Sequence, residues 1–485
     1  MPYSKTKLSI LVFNSRHANK LLPFFKTSLT FSLFSACLLL YSQSLTTAAP
    51  SAAPQLSIGA ARVDITPDFP VRLSGYSSRT TEDTKVALKL WARALVIGDQ
   101  EPVVMVTVDA IAVPGSIAEA AAKQLEKKFG ISRARLVLAG THSHNAPHPA
   151  RDYLPCIFRT PLSEDEWKSV DRYGQQMLQG IVTAVTQAMQ KRKPCQLSWA
   201  QGSAGFADNR RTVKGVASTQ VDHSLPLLAA RDQQGDVVAT LVNYACHCTT
   251  LGAGYSISGD WAGYASKSLE KDHPNAVALV MIGCGADANP KGRGGKQPKV
   301  PLAQKHGAEI ANEVNRLLGG KMKTLNLVPE AKFQFVELPL EAAPSRDELE
   351  KTALNNKKIH NQQLAQALLK KMDAGIAPAS SVKLPVQSWR FGDDLGMIFL
   401  GGEVVVDYSL KLKQLYRSER LWVSAYCNDT PCYIPSKRIL NEGGYEADFS
   451  MIFYGKPARF KPEVEPLLLK TITGLLPPHW LPTNK

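Results

Sequence analysis

The 485-residue chain has no internal repeat and, from about Ser57 onward, no low-complexity linker and no long run of one charge. Those absences exclude a solenoid and a largely disordered chain. Neither H-E-x-x-H nor G-x-S-x-G occurs, so the commonest zinc-peptidase and serine-hydrolase signatures are excluded as well. No basic block is interleaved with aromatics, which leaves no basis for nucleic acid as a partner. The apolar run near the N-terminus, Leu29 to Tyr41, is too short for a comfortable membrane span. No C-x₂-C pair exists to complete a thiolate zinc site around Cys246 and Cys248.

What is present first is a leader. Lys5, Lys7, Arg16, Lys20 and Lys26, with no acid among them, precede the apolar run, and small residues ending in TTAAPSAAP follow. This order reads as a secretory signal over residues 1–49, which implies a secreted or periplasmic protein. An uncleaved membrane anchor is the second reading. Of the formal charge of +15, these five residues carry five, so +10 remains without them. Such a balance favours anionic surfaces or substrates and leaves membrane-surface association open. Seven cysteines follow the leader (Cys156, Cys195, Cys246, Cys248, Cys284, Cys427 and Cys432), an odd number that leaves at least one unpaired within the chain. Oligomeric state is not encoded in any visible pattern.

Residues 55–485 alternate buried-strand runs with amphipathic stretches. ALVIGD and PVVMVTVDA predict strands, and IAEAAAKQLEKKFG predicts a helix stopped by Gly130. RLVLAGTH is a further strand, followed by a long helix from Trp167. LPLLAARDQQGDVVATLVNYACH predicts a hairpin turning at Gln233–Asp236, and VQSWRFGDDLGMIFLGG predicts another. Helices are expected over Ser345–Lys371 and from Glu403 to about Arg417. The alternation predicts an α/β fold, a mixed β-sheet domain with surrounding helices.

Polar residues fall where the buried runs end. His142 ends RLVLAGTH, His247 ends ATLVNYACH, Asp287 and Asn289 follow AVALVMIGCG, and Glu403 follows MIFLGG. Ligand sites in α/β folds gather at the carboxyl ends of strands, so a metal site at that rim is expected if the strands are neighbours. Thr141-His142-Ser143-His144 would put two imidazoles on one side of an extended backbone. In Cys246-His247-Cys248 the sulfurs face away from the imidazole, which leaves His247 as the ligand and the cysteines as packing or disulfide residues. The GCGADA stretch at Gly283–Ala288 runs into Asn289-Pro290 rather than a helix and fails as a dinucleotide fingerprint. Gly292–Lys296 is glycine-rich and basic but lacks phosphate-loop spacing.

Taken together, the blocks VDITPDFPVRLSGYSSR, AGTHSHNAPH, ADNRR, VNYACHCTTLG, SGDWAGYAS, GCGADANP, GGEVVVDYS and CNDTPCYIPSKRILNEGGYEAD resemble the neutral/alkaline non-lysosomal ceramidase superfamily in order and spacing. The resemblance runs from Val63 to Gly455 and implies a ceramidase-like catalytic domain over 55–485. It implies zinc held by His142, His247, Glu403 and Tyr433, with His144 available for acid/base work or for holding substrate. Arg210 and Tyr445 match residues that contact the substrate or its oxyanion. Asp260, in SGDWAGYAS, and Asp287 are expected to bind substrate.

Where the family carries a serine, this chain has Asn289. An amide is no alkoxide nucleophile, though it donates a hydrogen bond to an oxyanion. Either water activated by zinc serves alone or the activity differs from a ceramidase's. The chain also stops soon after the Tyr445 block, without room for the family's following β-sandwich. The expected function is an exported zinc-dependent hydrolase of an amide (N-acyl) bond in a small-molecule or lipid substrate. The alternatives are a zinc hydrolase of a non-lipid ester or modified sugar, and a non-catalytic member that binds a ligand.

Overall fold

The computed structural model describes residues 55–481 except 214, 255 and 417–419. The expected leader, 1–49, lies outside the described residues. Within them, nine strands form one mixed sheet. Its spatial order is Val277–Ile282, Val237–Tyr244, Ser224–Asp232, Lys193–Ser203, Leu56–Asp64, Trp91–Ile97, Val103–Val108 and Leu136–Gly140, with Lys323–Leu325 paired beside Lys193–Ser203. The outermost pair at each end is parallel and the pairs between are antiparallel. A second sheet orders Glu330–Pro339, Ser381–Phe391, Leu395–Leu400 and Leu421–Ser424, with the last pair parallel.

The strand Val103–Val108 explains why the two sheets stack. Val103 and Met105 join a core with Trp389, Met397, Phe399 and Trp422 of the second sheet, whereas Val104 and Val106 join the helices Gly115–Phe129 and Glu164–Gln190 on the other face. Period-2 alternation is therefore present in space but invisible in the sequence, because both faces are apolar. Helix Val464–Leu475 contacts Glu330–Pro339 and Ser381–Phe391 of the second sheet.

Local signals set the helix ends. Ser163 and Glu166 form a capping box ahead of the long helix, so it starts at Glu164, three residues before the expected Trp167. Gly130 is left-handed at φ 70° and ends the first helix as expected. The single helix expected over Ser345–Lys371 is two, Arg346–Asn355 and Ile359–Asp373. Asn356 is extended and its side chain accepts a hydrogen bond from the Lys358 amide, which offers the backbone a turn in place of the helix. Nor does a helix begin at Glu403. Glu403–Val404 is a short strand parallel to Tyr433–Ile434, and the helix runs Val406–Tyr416.

The strand carrying His142 and the strand carrying His247 are not neighbours in the sheet. One is the edge strand Leu136–Gly140, and the other, Val237–Tyr244, is next to last at the opposite end of the order. The segment after Leu421–Ser424 closes the gap. The Ala425 amide donates to the Ile282 carbonyl (2.9 Å), and the Gly140 amide donates to the Tyr426 carbonyl (3.3 Å). Tyr426 adopts φ 58° at this crossing. Both ends of the large sheet thus reach one connecting segment, and their carboxyl-end loops face each other across it.

Candidate metal centre and cavity

His142 is fully buried and left-handed at φ 57°, an uncommon conformation for a non-glycine residue. Its Nδ1 lies 2.8 Å from the Ile111 carbonyl, and Nδ1 of His247 lies 2.9 Å from the Gly285 carbonyl. Nδ1 of His144 lies 3.2 Å from the Gly75 carbonyl. A carbonyl only accepts, so each Nδ1 carries the proton and each Nε2 presents a lone pair. Burial holds His247 at about 4, with Glu403 pulling the other way, and burial beside His142 and His247 takes His144 well below its ordinary value. Both imidazoles are neutral at pH 7.

Those lone pairs point at one place. His142 Nε2 is 3.1 Å from His144 Nε2 and 3.1 Å from Glu403 Oε2. His247 Nε2 is 3.3 Å from Glu403 Oε2 and 3.3 Å from the Tyr433 hydroxyl. Glu403 Oε2 is buried and accepts no hydrogen bond, while Oε1 accepts one from the Tyr454 hydroxyl. Three imidazole acceptors and a carboxylate acceptor crowd together, with the Tyr433 hydroxyl beside His247 as their hydrogen-bond donor, and such a group can hold a cation between its lone pairs. The spacing suits one, because ligands about 2.0 Å from a tetrahedral ion stand about 3.3 Å apart. The donor set of imidazole, carboxylate and phenol is that of zinc or another divalent transition ion, and the residues present fit the group. His142, His144 and His247 form the candidate ion-binding cluster among the described residues.

Glu403 and Tyr433 reach the centre because they are Cα partners in the short parallel bridge. Gly402, at φ 78°, turns the chain into that bridge where a Cβ would lie 2.7 Å from Ile434 Cγ1. The bridge had no visible pattern, since two residues cannot show a period.

A cavity of about 860 Å³ opens over the centre and includes His144, His247 and Tyr433 in its lining. Asn289, Arg210 and Tyr445 line it too, so the fold brings these expected residues to one place. The Arg210 guanidinium donates to Glu446 Oε1 (2.9 Å) and to the Tyr433 hydroxyl (3.2 Å), and sits 5.3 Å from the Tyr445 ring centroid. Tyr445 is 41% exposed, the most accessible aromatic of the group. Asn289 Oδ1 is 3.4 Å from Thr249 Oγ1.

Asp260 and Asp287 lie apart from the cavity lining, and both are fully buried. Asp260 accepts from the Leu251 and Trp261 amides at the start of helix Asp260–Asp272. Asp287 accepts from the Val406 amide and Asn209 Nδ2, and burial lifts it to about 6. Their oxygens hold the surrounding loops. The seven cysteines of the described residues are buried free thiols. Cys246 and Cys248 are packing residues.

Tyr454, Tyr76, Arg211, Glu446 and Arg293 were not anticipated. Tyr76 sat inside a quoted block and Tyr454 shortly after the last one, with nothing to mark either, and Arg293 lay in the glycine-rich stretch dismissed as a phosphate loop. Gly75 was also unremarked. At φ 86° it approaches His144 so closely that a Cβ would lie 2.6 Å from the ring Cγ. Gly75→Ala is expected to displace His144 and lower turnover by about 10- to 100-fold, the range for disturbing a ligand's support. Turnover and metal content measured together check this; an unchanged rate would remove His144 from the working centre.

Fold and site define a mixed α/β protein with a candidate metal centre at the base of a polar cavity. Residues 56–290 match the family described as neutral/alkaline non-lysosomal ceramidase, N-terminal. That match covers just under half of the chain. It is 26% identical over 231 residues to neutral ceramidase B of Dictyostelium discoideum, covering 44% of this chain and 31% of that one. It is 25% identical over 229 residues to the neutral ceramidase of Pseudomonas aeruginosa, covering 44% and 33%. The matched stretch thus spans about a third of these relatives' length. The crystal structure of the P. aeruginosa neutral ceramidase superposes with a TM-score of 0.68 at 18% identity, over 89% of this chain and 76% of that one. A ceramidase complexed with C2 superposes at 0.66 and 17% identity, over 85% and 73%. The fold is shared across these lengths. No helix among the described residues is long and apolar enough to cross a membrane.

Proposed function

We propose that this chain is an exported, zinc-dependent hydrolase that cleaves an N-acyl amide bond, with residues 55–485 as its catalytic domain. One observation carries the reading. Three imidazole Nε2 atoms, the unpartnered Oε2 of Glu403 and the Tyr433 hydroxyl converge at the base of a cavity. His142, His247, Glu403 and Tyr433 would hold the ion. Zinc bound there supplies Lewis-acid chemistry, polarising an acyl carbonyl and making water acidic enough to attack at neutral pH.

The chain's own residues do the rest. His144 is the least enclosed of the three histidines, and it faces both the centre and the cavity. It takes a proton at Nε2 and returns it to the leaving nitrogen. Asn289 stands where an amide N–H can donate to the developing oxyanion, and Tyr445 offers a hydroxyl on the facing wall. Arg210 keeps the Tyr433 hydroxyl in place through its 3.2 Å hydrogen bond. With asparagine in the serine position, no side-chain nucleophile is required of the site.

The polar wall, with Arg210, Arg211, Arg293, Glu442 and Glu446, favours a substrate with a polar head over one that is lipid throughout. A panel of N-acyl amides and matching esters, assayed before and after chelation and zinc return, tests the reading. Amide hydrolysis should vanish with the metal and come back with it. Chelation that leaves the rate unchanged would overturn the metal assignment, and ester hydrolysis alone would overturn the bond assignment.

A further inference from the structure

Three arginines line the cavity, and two are neutralised within it. Arg210 is paired with Glu446, and Arg211 with Glu446 and Glu442. Arg293 has no carboxylate partner among the described residues. Its Nε donates to the Thr249 carbonyl (3.2 Å) and its Nη2 to the Tyr76 hydroxyl (3.1 Å). A guanidinium carries five N–H donors, so three remain, and the two bonds fix the plane of the fork.

The position of Arg293 relates it to the centre. Tyr76 lies between them, its ring centroid 5.2 Å from that of His144 and 5.9 Å from the Arg293 guanidinium carbon. Thr249 binds Arg293 through its carbonyl and approaches Asn289 through its hydroxyl. Arg293 therefore shares a wall with the proposed oxyanion donor, one aromatic ring away from the proposed proton carrier. A fixed, partly buried cation with spare parallel donors suits a carboxylate, which it binds through two hydrogen bonds. The net charge of +10 beyond the leader is of the sign that attracts such a substrate.

We propose that Arg293 recognises a carboxylate on the substrate, so that the preferred amides are N-acylated amino acids. This rests on the amide-hydrolase reading above. The test compares N-octanoylglycine with N-octanoylglycinamide, which differ only at the carboxylate. In the zinc-loaded wild type, kcat/KM for the acid should exceed that for the amide by about 10- to 100-fold, as for a charge-assisted hydrogen bond gained. Most of the difference should lie in KM and should shrink as salt is raised. Arg293→Gln should bring the ratio close to one, and Arg293→Lys, which keeps charge but not the fork, should leave an intermediate ratio. A wild-type ratio near one, or a ratio that survives both substitutions, overturns the proposal. Hydrolysis of neither compound would instead count against the reaction. The carboxylate site would then be judged by calorimetry, where binding of N-octanoylglycine over its amide must be present in the wild type and absent in Arg293→Gln.

Discussion

Replacing His247 by alanine is expected to cost bound metal and amide hydrolysis together. His247 is held from behind by the Gly285 carbonyl, and Gly285 packs so closely on the preceding strand end that a Cβ would lie 2.6 Å from the Cys246 nitrogen. Its Nε2 is therefore aimed by backbone and cannot be replaced by a neighbour swinging in. Without it, the centre loses the nitrogen lone pair that stands 3.3 Å from both Glu403 Oε2 and the Tyr433 hydroxyl. Losing the support of a ligand costs about 10- to 100-fold in metal affinity or activity, and losing the ligand should cost more. Two readouts separate chemistry from folding. Metal content should fall far below that of the wild type, and the melting temperature should stop responding to chelator, because an ion that binds only the folded state raises stability by mass action. His142→Ala should behave alike. A His247→Ala protein that keeps a full complement of zinc would remove this residue from the centre.

How much of this is legible in the sequence follows from what each residue needs. His142, His247 and Glu403 could be placed at strand ends because apolar runs of five to eight residues are conspicuous. Their meeting could not be foreseen from the runs. The two histidine-bearing strands lie toward opposite ends of the sheet order, and the crossing at Ala425–Tyr426 that unites them is a matter of a few backbone hydrogen bonds. Tyr433 and Arg210 were reachable only through resemblance to a family, since a lone tyrosine or arginine carries no periodic signal. The burial of Asp260 and Asp287 was not legible for a physical reason: a carboxylate in a loop reads the same whether it faces a cavity or accepts from buried amides. Arg293 was overlooked because its glycine-rich surroundings were weighed against one motif only, whereas its significance lies in the carboxylate it lacks.

Arg210→Gln is expected to lower kcat by about 10²- to 10³-fold, in the range of a lost oxyanion-hole donor, while leaving the protein folded. The fold should tolerate it because Glu446 keeps Arg211, so no buried carboxylate is stranded. The rate should suffer through Tyr433. Burial, with the Glu403 carboxylate adding to it, pushes the Tyr433 hydroxyl well above its ordinary range, and the Arg210 cation is the force pulling it back. Removing that cation raises the phenol further, so the anionic form that best serves a metal becomes harder to reach. The sign follows directly. A group whose deprotonated form is needed, with its pKa raised, moves the rising limb of the pH–rate profile toward alkaline pH, and raising the pH should recover part of the loss. Arg210→Lys keeps a positive charge near the hydroxyl and should shift the limb less than glutamine does. A merely structural role for Arg210 would lower the rate equally at all pH values and would be betrayed by a parallel loss of melting temperature. An unshifted limb with unchanged metal affinity would show that Tyr433 works without its arginine.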